Sequence, residues 1–251
     1  MGSAHGRGRL PTAAWETEMS PTLETAPSRS VHEAIETRKS VRAFLPDPVD
    51  PELVRTILSR AARAASGGNL QPWRLYVLAG EARDALVAAV AEKQKDQPFG
   101  DGPEYDIYPR DLTEPYRSRR GRVAEMMYEL VGIARDDKSA RAAQMQRNFE
   151  FFGAPVGMVL TIDRQMGPPQ FCDLGLFLGN LMLLAREHGL HTCPQEAWSL
   201  WGATIREVVG VPDHELVFCG VSLGQADPEA PINALRSERA PLEEFATFQG
   251  L

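Results

Sequence analysis

The sequence predicts one α+β domain in which a few strands are accompanied by many helices. Segments 73–78, 154–162 and 215–223 are short and rich in apolar residues, as buried strands are. Longer stretches with apolar residues at helical spacing lie between these segments and outnumber them. No internal repeat, low-complexity tract or linker interrupts residues 30–251, so we expect a single domain there, preceded by a flexible arm at 1–29.

The first two helices are marked by their N-terminal residues. Ser30 and Glu33 form a capping-box pattern that predicts a short helix over 31–38. The prolines that follow prevent its continuation. Asp50 and Pro51 then predict an N-cap and a first helical residue. Apolar residues continue that second helix at helical spacing: Leu53, Val54, Ile57, Leu58 and Ala61.

The remaining elements follow from periodicity and from helix-ending residues. Helices are predicted at 81–93, 114–132, 138–149, 171–188 and 198–209. The polar segment 94–115 is rich in Pro, Gly, Asp and Tyr and is expected to be an irregular insertion or lid. The helix at 171–188 is almost wholly apolar, which predicts burial on every side, either centrally or against a partner chain. Gly189 is expected to end it.

Composition excludes several classes of function. A net charge of −7 argues against a broad nucleic-acid surface. Three widely spaced cysteines argue against a disulfide framework, a zinc site or a thiol redox motif, and favour a reducing, cytoplasmic location. Neither a membrane span nor a metal site is expected, because the apolar runs are short and the five histidines lack ligand spacing.

Two segments carry the candidate chemistry. Arg38-Lys39-Ser40-Val41-Arg42 can grip a phosphate monoester through charge-assisted hydrogen bonds, although a solvated basic helix end would have the same composition. Ala65-Ser66-Gly67-Gly68-Asn69-Leu70-Gln71-Pro72-Trp73 permits close backbone approach and offers amide groups to a heterocycle. A plain connection between a helix and a strand is the alternative for this second segment.

Together, these segments resemble the opening of the nitroreductase superfamily of flavoproteins. Later blocks in the same order extend the similarity over residues 31–248: Phe152-Gly153-Ala154-Pro155, Asp173-Leu174-Gly175, Cys193-Pro194-Gln195, Gly220-Val221-Ser222-Leu223-Gly224, and Asn233 to Arg239. The Arg119-Arg120 pair and the run from Asn148 resemble the branch of bacterial nitrobenzoate-type reductases. The resemblance implies a mainly antiparallel central sheet flanked by helices, in an intertwined homodimer.

The resemblance also implies FMN at the dimer interface. Arg38, Lys39, Ser40 and Arg42 would hold the phosphate, the ribityl chain and part of the ring, and Arg236 and Arg239 would complete the phosphate clamp. Ser66, Gly67, Asn69 and Gln71 would approach from the other subunit. Pro194, Gln195 and Glu196 would lie beside the ring and offer a backbone N–H near its N5 atom; many relatives carry Glu-Gly there, which leaves the donor open.

The implied activity is ping-pong reduction of nitroaromatics, quinones or similar electron-poor small molecules with NADH or NADPH. No catalytic side chain is required, since flavin N5 carries the chemistry. Tyr105, Tyr108, Tyr116 and Arg117 are candidate substrate contacts. A reductive dehalogenase, a flavin-destroying enzyme and a non-catalytic flavin-binding protein remain alternatives. The absence of G-x-G-x-x-G and Walker A patterns favours a single-phosphate flavin.

Overall fold

A computed structural model describes residues 23–250 of the protein. Leu251 and residues 1–22, which make up most of the predicted arm, lie outside the described residues. In chain order the elements are α1 (Val31–Thr37), α2 (Pro51–Ala61), β1 (Trp73–Ala79), α3 (Glu81–Lys93), α4 (Tyr116–Leu130), α5 (Lys138–Gln146), β2 (Val156–Asp163), α6 (Pro168–Glu187), β3 (His191–Gln195), α7 (Gly202–Val209), β4 (Glu215–Gly224) and α8 (Leu242–Phe245). Short 3-10 helices occupy Gly67–Asn69, Arg147–Gly153, Glu196–Trp201 and Pro231–Ala234. The predicted α+β class is confirmed.

The four strands form one sheet in the order β1-β2-β4-β3, and every neighbouring pair is antiparallel. Alternate side chains of β2 enter two different cores, as the period of a strand requires. Met158, Leu160 and Ile162 pack against α2 and α6 on one face. Val159 faces the other core, which contains Phe151, Trp198 and residues of α3 and α7. The sheet is therefore covered by helices on both faces.

The predicted helix caps at the first two helices are present. The Ser30 hydroxyl accepts a hydrogen bond from the Glu33 N–H at 3.1 Å. The Asp50 carboxylate accepts one from the Glu52 N–H at 3.0 Å, with Pro51 as the first helical residue. Gly189 has φ +72° directly after α6, where glycine adopts the left-handed conformation without a Cβ clash.

Several predicted boundaries were wrong, each for a local reason. The helix predicted at 138–149 ends at Gln146 and tightens into a 3-10 helix, in which Phe151 and Phe152 have positive φ. The helix predicted at 198–209 is divided into a 3-10 turn and α7. Strand β3 was not predicted, because it is short and contains Pro194, which is tolerated only at sheet edges.

Helix α6 is not buried on every side within the described chain. Its inner face is fully enclosed, but Leu176 is 51% exposed on the opposite face. Of the two interpretations that its apolar sequence allowed, central burial is therefore wrong for this face of a single chain. Burial against a partner chain stays a prediction.

The sequence predicted that the domain starts at residue 30, but residues before Ser30 are already part of the fold. The buried Arg186 guanidinium donates to the Ala26 carbonyl at 2.7 Å and to the Thr37 hydroxyl at 3.2 Å. The His191 ring contacts the Glu24 carbonyl at 3.1 Å through Nε2. Residues 24–28 are thus fastened to the ends of α1 and α6 by groups that periodicity does not reveal.

A first prediction concerns close packing at Gly220. A Cβ on this residue would lie 2.1 Å from Trp198 Cδ1, and both residues are buried. We expect Gly220→Ala to lower the free energy of unfolding by about 3 kcal/mol, since a packed core must shift to accept the methyl group. Gly121→Ala is the control, because nothing lies within 4 Å of the corresponding position. Denaturant unfolding measures both, and equal stability of the two variants would contradict the prediction.

A second prediction concerns His191. Burial, with the nearby Arg186 cation, lowers the pKa of His191 to about 3. Below pH 6.5 the unfolded chain therefore binds a proton that the folded chain does not. Stability should fall as the pH drops from 6.5 towards 3, by at most about 1.4 kcal/mol per pH unit from this residue. His191→Gln, which can still donate to the Glu24 carbonyl, should remove this slope.

The matched control for that experiment is His214→Gln, because the His214 side chain is 65% exposed. It should retain the pH dependence of the parent protein in denaturant unfolding between pH 6.5 and 4. If the free energy of unfolding of His191→Gln falls with decreasing pH as steeply as that of the parent protein, His191 does not cause the pH dependence.

Candidate active site

A basic cavity of about 350 Å³ lies between the chain after α1 and the chain after the 3-10 helix Pro231–Ala234. It brings together the two cationic groups that were predicted from opposite ends of the sequence. The predicted site residues that line it are Arg38, Lys39, Ser40, Arg42, Arg236 and Arg239. Ile35, Val123, Leu183 and Leu235 provide an apolar part of the wall. The lining therefore combines a charged region with an apolar one.

The cations of this cavity are crowded and poorly neutralised. Burial and the adjacent Arg239 guanidinium lower the pKa of Arg38. Burial and the adjacent Arg236 guanidinium lower the pKa of Lys39. Arg236 pairs with the Glu36 carboxylate at 3.2 Å, whereas Arg38, Lys39, Arg42 and Arg239 form no ion pair within residues 23–250. A bound anion would relieve both the desolvation and the repulsion.

The backbone after α1 positions these cations. The Arg38 N–H closes α1 on the Ala34 carbonyl, and the chain then becomes extended. Val41 N–H donates to the Thr192 carbonyl at 3.1 Å, which joins the segment to β3. Phe44 bridges Ala226, beyond the end of β4. The basic segment is thus held between β3 and the chain that leads to Arg236.

The predicted site residues at the end of β3, Pro194, Gln195 and Glu196, do not line the basic cavity. The Gln195 side chain is 3% exposed, and its Nε2 donates to the Asn148 carbonyl at 2.7 Å while its Oε1 accepts from the Ser222 hydroxyl at 2.7 Å. Burial raises the pKa of Cys193 to about 11, which keeps that thiol protonated. Glu196 is exposed, yet partial burial of its carboxyl raises its pKa. The Gln195 side chain is therefore held inside the domain.

The loop from Ser66 to Gln71 does not line the basic cavity. Gly67, Asn69 and Gln71 are exposed, and the Ser66 hydroxyl accepts a hydrogen bond from the Gln71 N–H at 3.0 Å. The buried Asp173 carboxylate of α6 accepts from the Gly67 N–H at 3.2 Å. Asn69 and Gln71 have φ of +57° and +48°, a strained conformation for non-glycine residues and one that is enriched at ligand sites.

The 94–115 segment is fastened to the domain in its first half. The Glu104 carboxylate accepts hydrogen bonds from the Val217 N–H at 2.6 Å and from Arg164 at 2.8 Å. The Tyr105 hydroxyl donates to the Phe218 carbonyl at 2.6 Å, and burial raises the pKa of Tyr105. The other candidate contacts, Tyr108, Tyr116 and Arg117, are exposed and line no part of the basic cavity. A lid role for this segment stays a prediction.

Sequence analysis gave no role to Asn233. This residue is 3% exposed, and its Oδ1 accepts a hydrogen bond from the Arg42 N–H at 2.9 Å. It is the first residue of the last block of the family resemblance, but its segment has no periodicity that would indicate these hydrogen bonds. Within residues 23–250, no three His, Cys, Asp or Glu side chains could hold a metal ion, and no helix there is long and apolar enough to cross a membrane.

Comparison with known proteins identifies the family. Residues 35–225 match the model of the nitroreductase family. The chain belongs to the nitroreductase family. Its predicted membership, in the nitroaromatic branch, is confirmed by the relatives it matches.

Three nitroreductases illustrate the likeness. A chloronitrobenzene nitroreductase of Comamonas testosteroni is 41% identical over 218 residues, which cover 87% of this chain and 96% of the relative. A 4-nitrobenzoate reductase of Pseudomonas putida is 39% identical over 86% of this chain and 94% of its own. The crystal structure of the FMN- and NADPH-dependent nitroreductase NfnB from Sphigopyxis sp. strain HMH is 49% identical, with a TM-score of 0.86 over 88% of this chain and 100% of that one.

A third prediction tests the basic cavity as an anion site. In protein freed of bound small molecules, inorganic phosphate at about ten times its dissociation constant should raise the thermal midpoint by roughly 3–5 °C. Arg239→Gln should reduce this rise by at least about half, because a charge-assisted partner of the anion is lost. Arg135→Gln, on an exposed arginine outside the cavity, is the control and should respond as the parent does. An equal response in all three proteins would contradict the site.

Proposed function

We propose that this protein is an FMN-dependent NAD(P)H oxidoreductase that reduces nitroaromatics, quinones or similar electron-poor small molecules by a ping-pong cycle. The observation that carries the proposal is a cavity in which, among the described residues, the cations outnumber the single acidic residue, Glu36, in a chain of the nitroreductase family. Named relatives act on chloronitrobenzene and 4-nitrobenzoate, and the 49% identical relative depends on FMN and NADPH. The same activity is proposed here.

The cavity fits the phosphate end of FMN. Arg38 and Lys39 have pKa values lowered by burial and by like charges, so a phosphate dianion meets desolvated donors that lack a counter-charge. Arg42, Arg236 and Arg239 would share the phosphate and the ribityl chain, with Ser40 as a hydroxyl partner. One cluster of cations matches the single phosphate of FMN.

The remaining proposed contacts serve the ring. The main chain at Pro194, Gln195 and Glu196 would hold the ring edge, and the N–H of Gln195 or Glu196 would donate there. The side-chain amide of Gln195 is bonded inside the domain. Ser66, Gly67, Asn69 and Gln71 would reach the cofactor of the other subunit. Bound FMN supplies two-electron chemistry between the nicotinamide and the acceptor. The protein orients both reactants and stabilises negative charge on the flavin through its cations.

The proposal includes a homodimer in the cytoplasm. Leu176 on α6 and the tail residues Phe245 and Phe248 are 51%, 71% and 60% exposed, and a second copy would cover such apolar surface. All three cysteines are free, as is usual in a reducing compartment. Residues 30–251 would act as one FMN-binding domain, with 94–115 as its lid.

The test is an absorption spectrum of the purified protein, taken before and after anaerobic NADPH and again after 4-nitrobenzoate. We expect a yellow protein that bleaches with NADPH and regains its colour with the nitro compound. A Lys39→Met/Arg239→Gln variant is the control and should be largely colourless, because two phosphate partners are lost.

The other outcomes separate the parts of the proposal. A yellow protein that ignores NADH and NADPH would keep the FMN site and overturn the reductase activity, which would direct attention to dehalogenation, flavin destruction or storage. A colourless protein that cannot be reconstituted with FMN would overturn the cofactor itself.

A further inference from the structure

We propose that Asn233 is a positioning residue that holds the two halves of the basic cavity in register for the cofactor phosphate. This inference rests on the proposed function, because it concerns how the chain prepares its site for FMN. Asn233 is not among the residues that line the cavity, so its effect on the ligand is indirect. It is 3% exposed and lies three residues before Arg236.

The Asn233 side chain makes three hydrogen bonds to main-chain atoms. Its Oδ1 accepts from the Arg42 N–H at 2.9 Å. Its Nδ2 donates to the Ala43 carbonyl at 2.8 Å and to the Asp227 carbonyl at 2.9 Å. One amide therefore joins the basic segment after α1 to the turn that precedes the second group of cations.

These contacts continue a ladder of backbone bonds. Leu45 N–H donates to the Gln225 carbonyl at 2.9 Å, and Asp227 N–H donates to the Ala43 carbonyl at 3.0 Å. Within residues 23–250 the Arg42 N–H has no backbone acceptor, and the Asn233 side-chain amide takes the place of a peptide group. The main chain of Asn233 is itself fixed, since its N–H donates to the Ala230 carbonyl at 3.0 Å.

Only an amide satisfies this arrangement. A carboxylate of the same size can accept from Arg42 but would face two carbonyl oxygens without a proton to offer. An aliphatic side chain would leave a buried N–H and a carbonyl unpaired. The Arg42 N–H is itself bonded to the Asn233 side chain, and Arg236 lies three residues after Asn233. Loss of the side-chain amide should therefore change the distance between these cations more than it changes the rest of the domain.

The consequence is a selective loss of phosphate recognition. FMN and riboflavin differ only by the phosphate group, so the ratio of their dissociation constants isolates the cavity from the ring site. Titration of flavin-free protein, followed by flavin fluorescence, measures both constants. For Asn233→Leu we expect FMN binding to weaken about tenfold or more, equivalent to about 1.4 kcal/mol, with riboflavin binding unchanged within about a factor of two.

The control is Thr204→Ala, which also removes a buried hydrogen bond but lies on α7. The Thr204 hydroxyl donates to the Asp101 carboxylate at 2.9 Å, outside the cavity. This variant should be destabilised without a change in the ratio of FMN to riboflavin affinity. If Asn233→Leu does not fold, as judged by circular dichroism, the smaller Asn233→Ser carries the same expectation for the ratio.

The outcomes are distinguishable from a failure of the proposed function. A parent protein that binds FMN no better than riboflavin overturns the phosphate site and hence the proposed function. A parent that prefers FMN, with an Asn233 variant that keeps the same preference, overturns only the positioning role. Equal weakening of both flavins in the variant also overturns it, because a general structural defect would then explain the loss.

Discussion

The site depends on holding like charges together. Arg38 and Lys39, near the start of the domain, lie near Arg239 and Arg236, near its end. Arg239 lowers the pKa of Arg38, and Arg236 lowers the pKa of Lys39, in each case in addition to the effect of burial. Such an arrangement opposes folding, because desolvated cations repel one another. It persists only if the surrounding structure provides more stabilisation than the repulsion removes. The rest of the fold provides this stabilisation.

The scaffold restrains the basic segment from both sides. On one side Val41 is bonded to Thr192 of β3, and on the other the chain after β4 accepts and donates hydrogen bonds up to Ala43. Behind α1, the buried Arg186 joins Thr37 to the N-terminal residues. None of these restraints uses the charged side chain of Arg38 or Lys39.

Local patterns in the sequence predicted the helix ends and the basic segment. Ser30 and Asp50 begin helices through hydrogen bonds to N–H groups two or three residues later, and Gly189 ends a helix in the left-handed conformation. All three features were predicted, because they depend on neighbouring residues only. The basic segment Arg38 to Arg42 was predicted from its composition, and Arg236 and Arg239 were predicted from the family resemblance. The hydrogen-bonding roles of Asn233, Arg186 and the Gln195 side chain were not predicted, because these residues have partners that are distant in sequence. Long-range hydrogen bonds leave no periodic signal, and β3 was missed because its ladder exists only beside β4.

The arrangement along α6 bears on the proposed homodimer. Asp173, near its start, anchors the strained 66–71 loop, while Leu183 lines the basic cavity about 15 Å further along the helix axis. Between them the outer face presents Gly175, Leu176 and Gly179, and the two glycines allow another backbone to approach closely. In the proposed homodimer a second copy would cover this face, and the 66–71 loop of each chain would approach the cofactor of the other. The strain at Asn69 and Gln71 would then be maintained by a ligand shared between subunits.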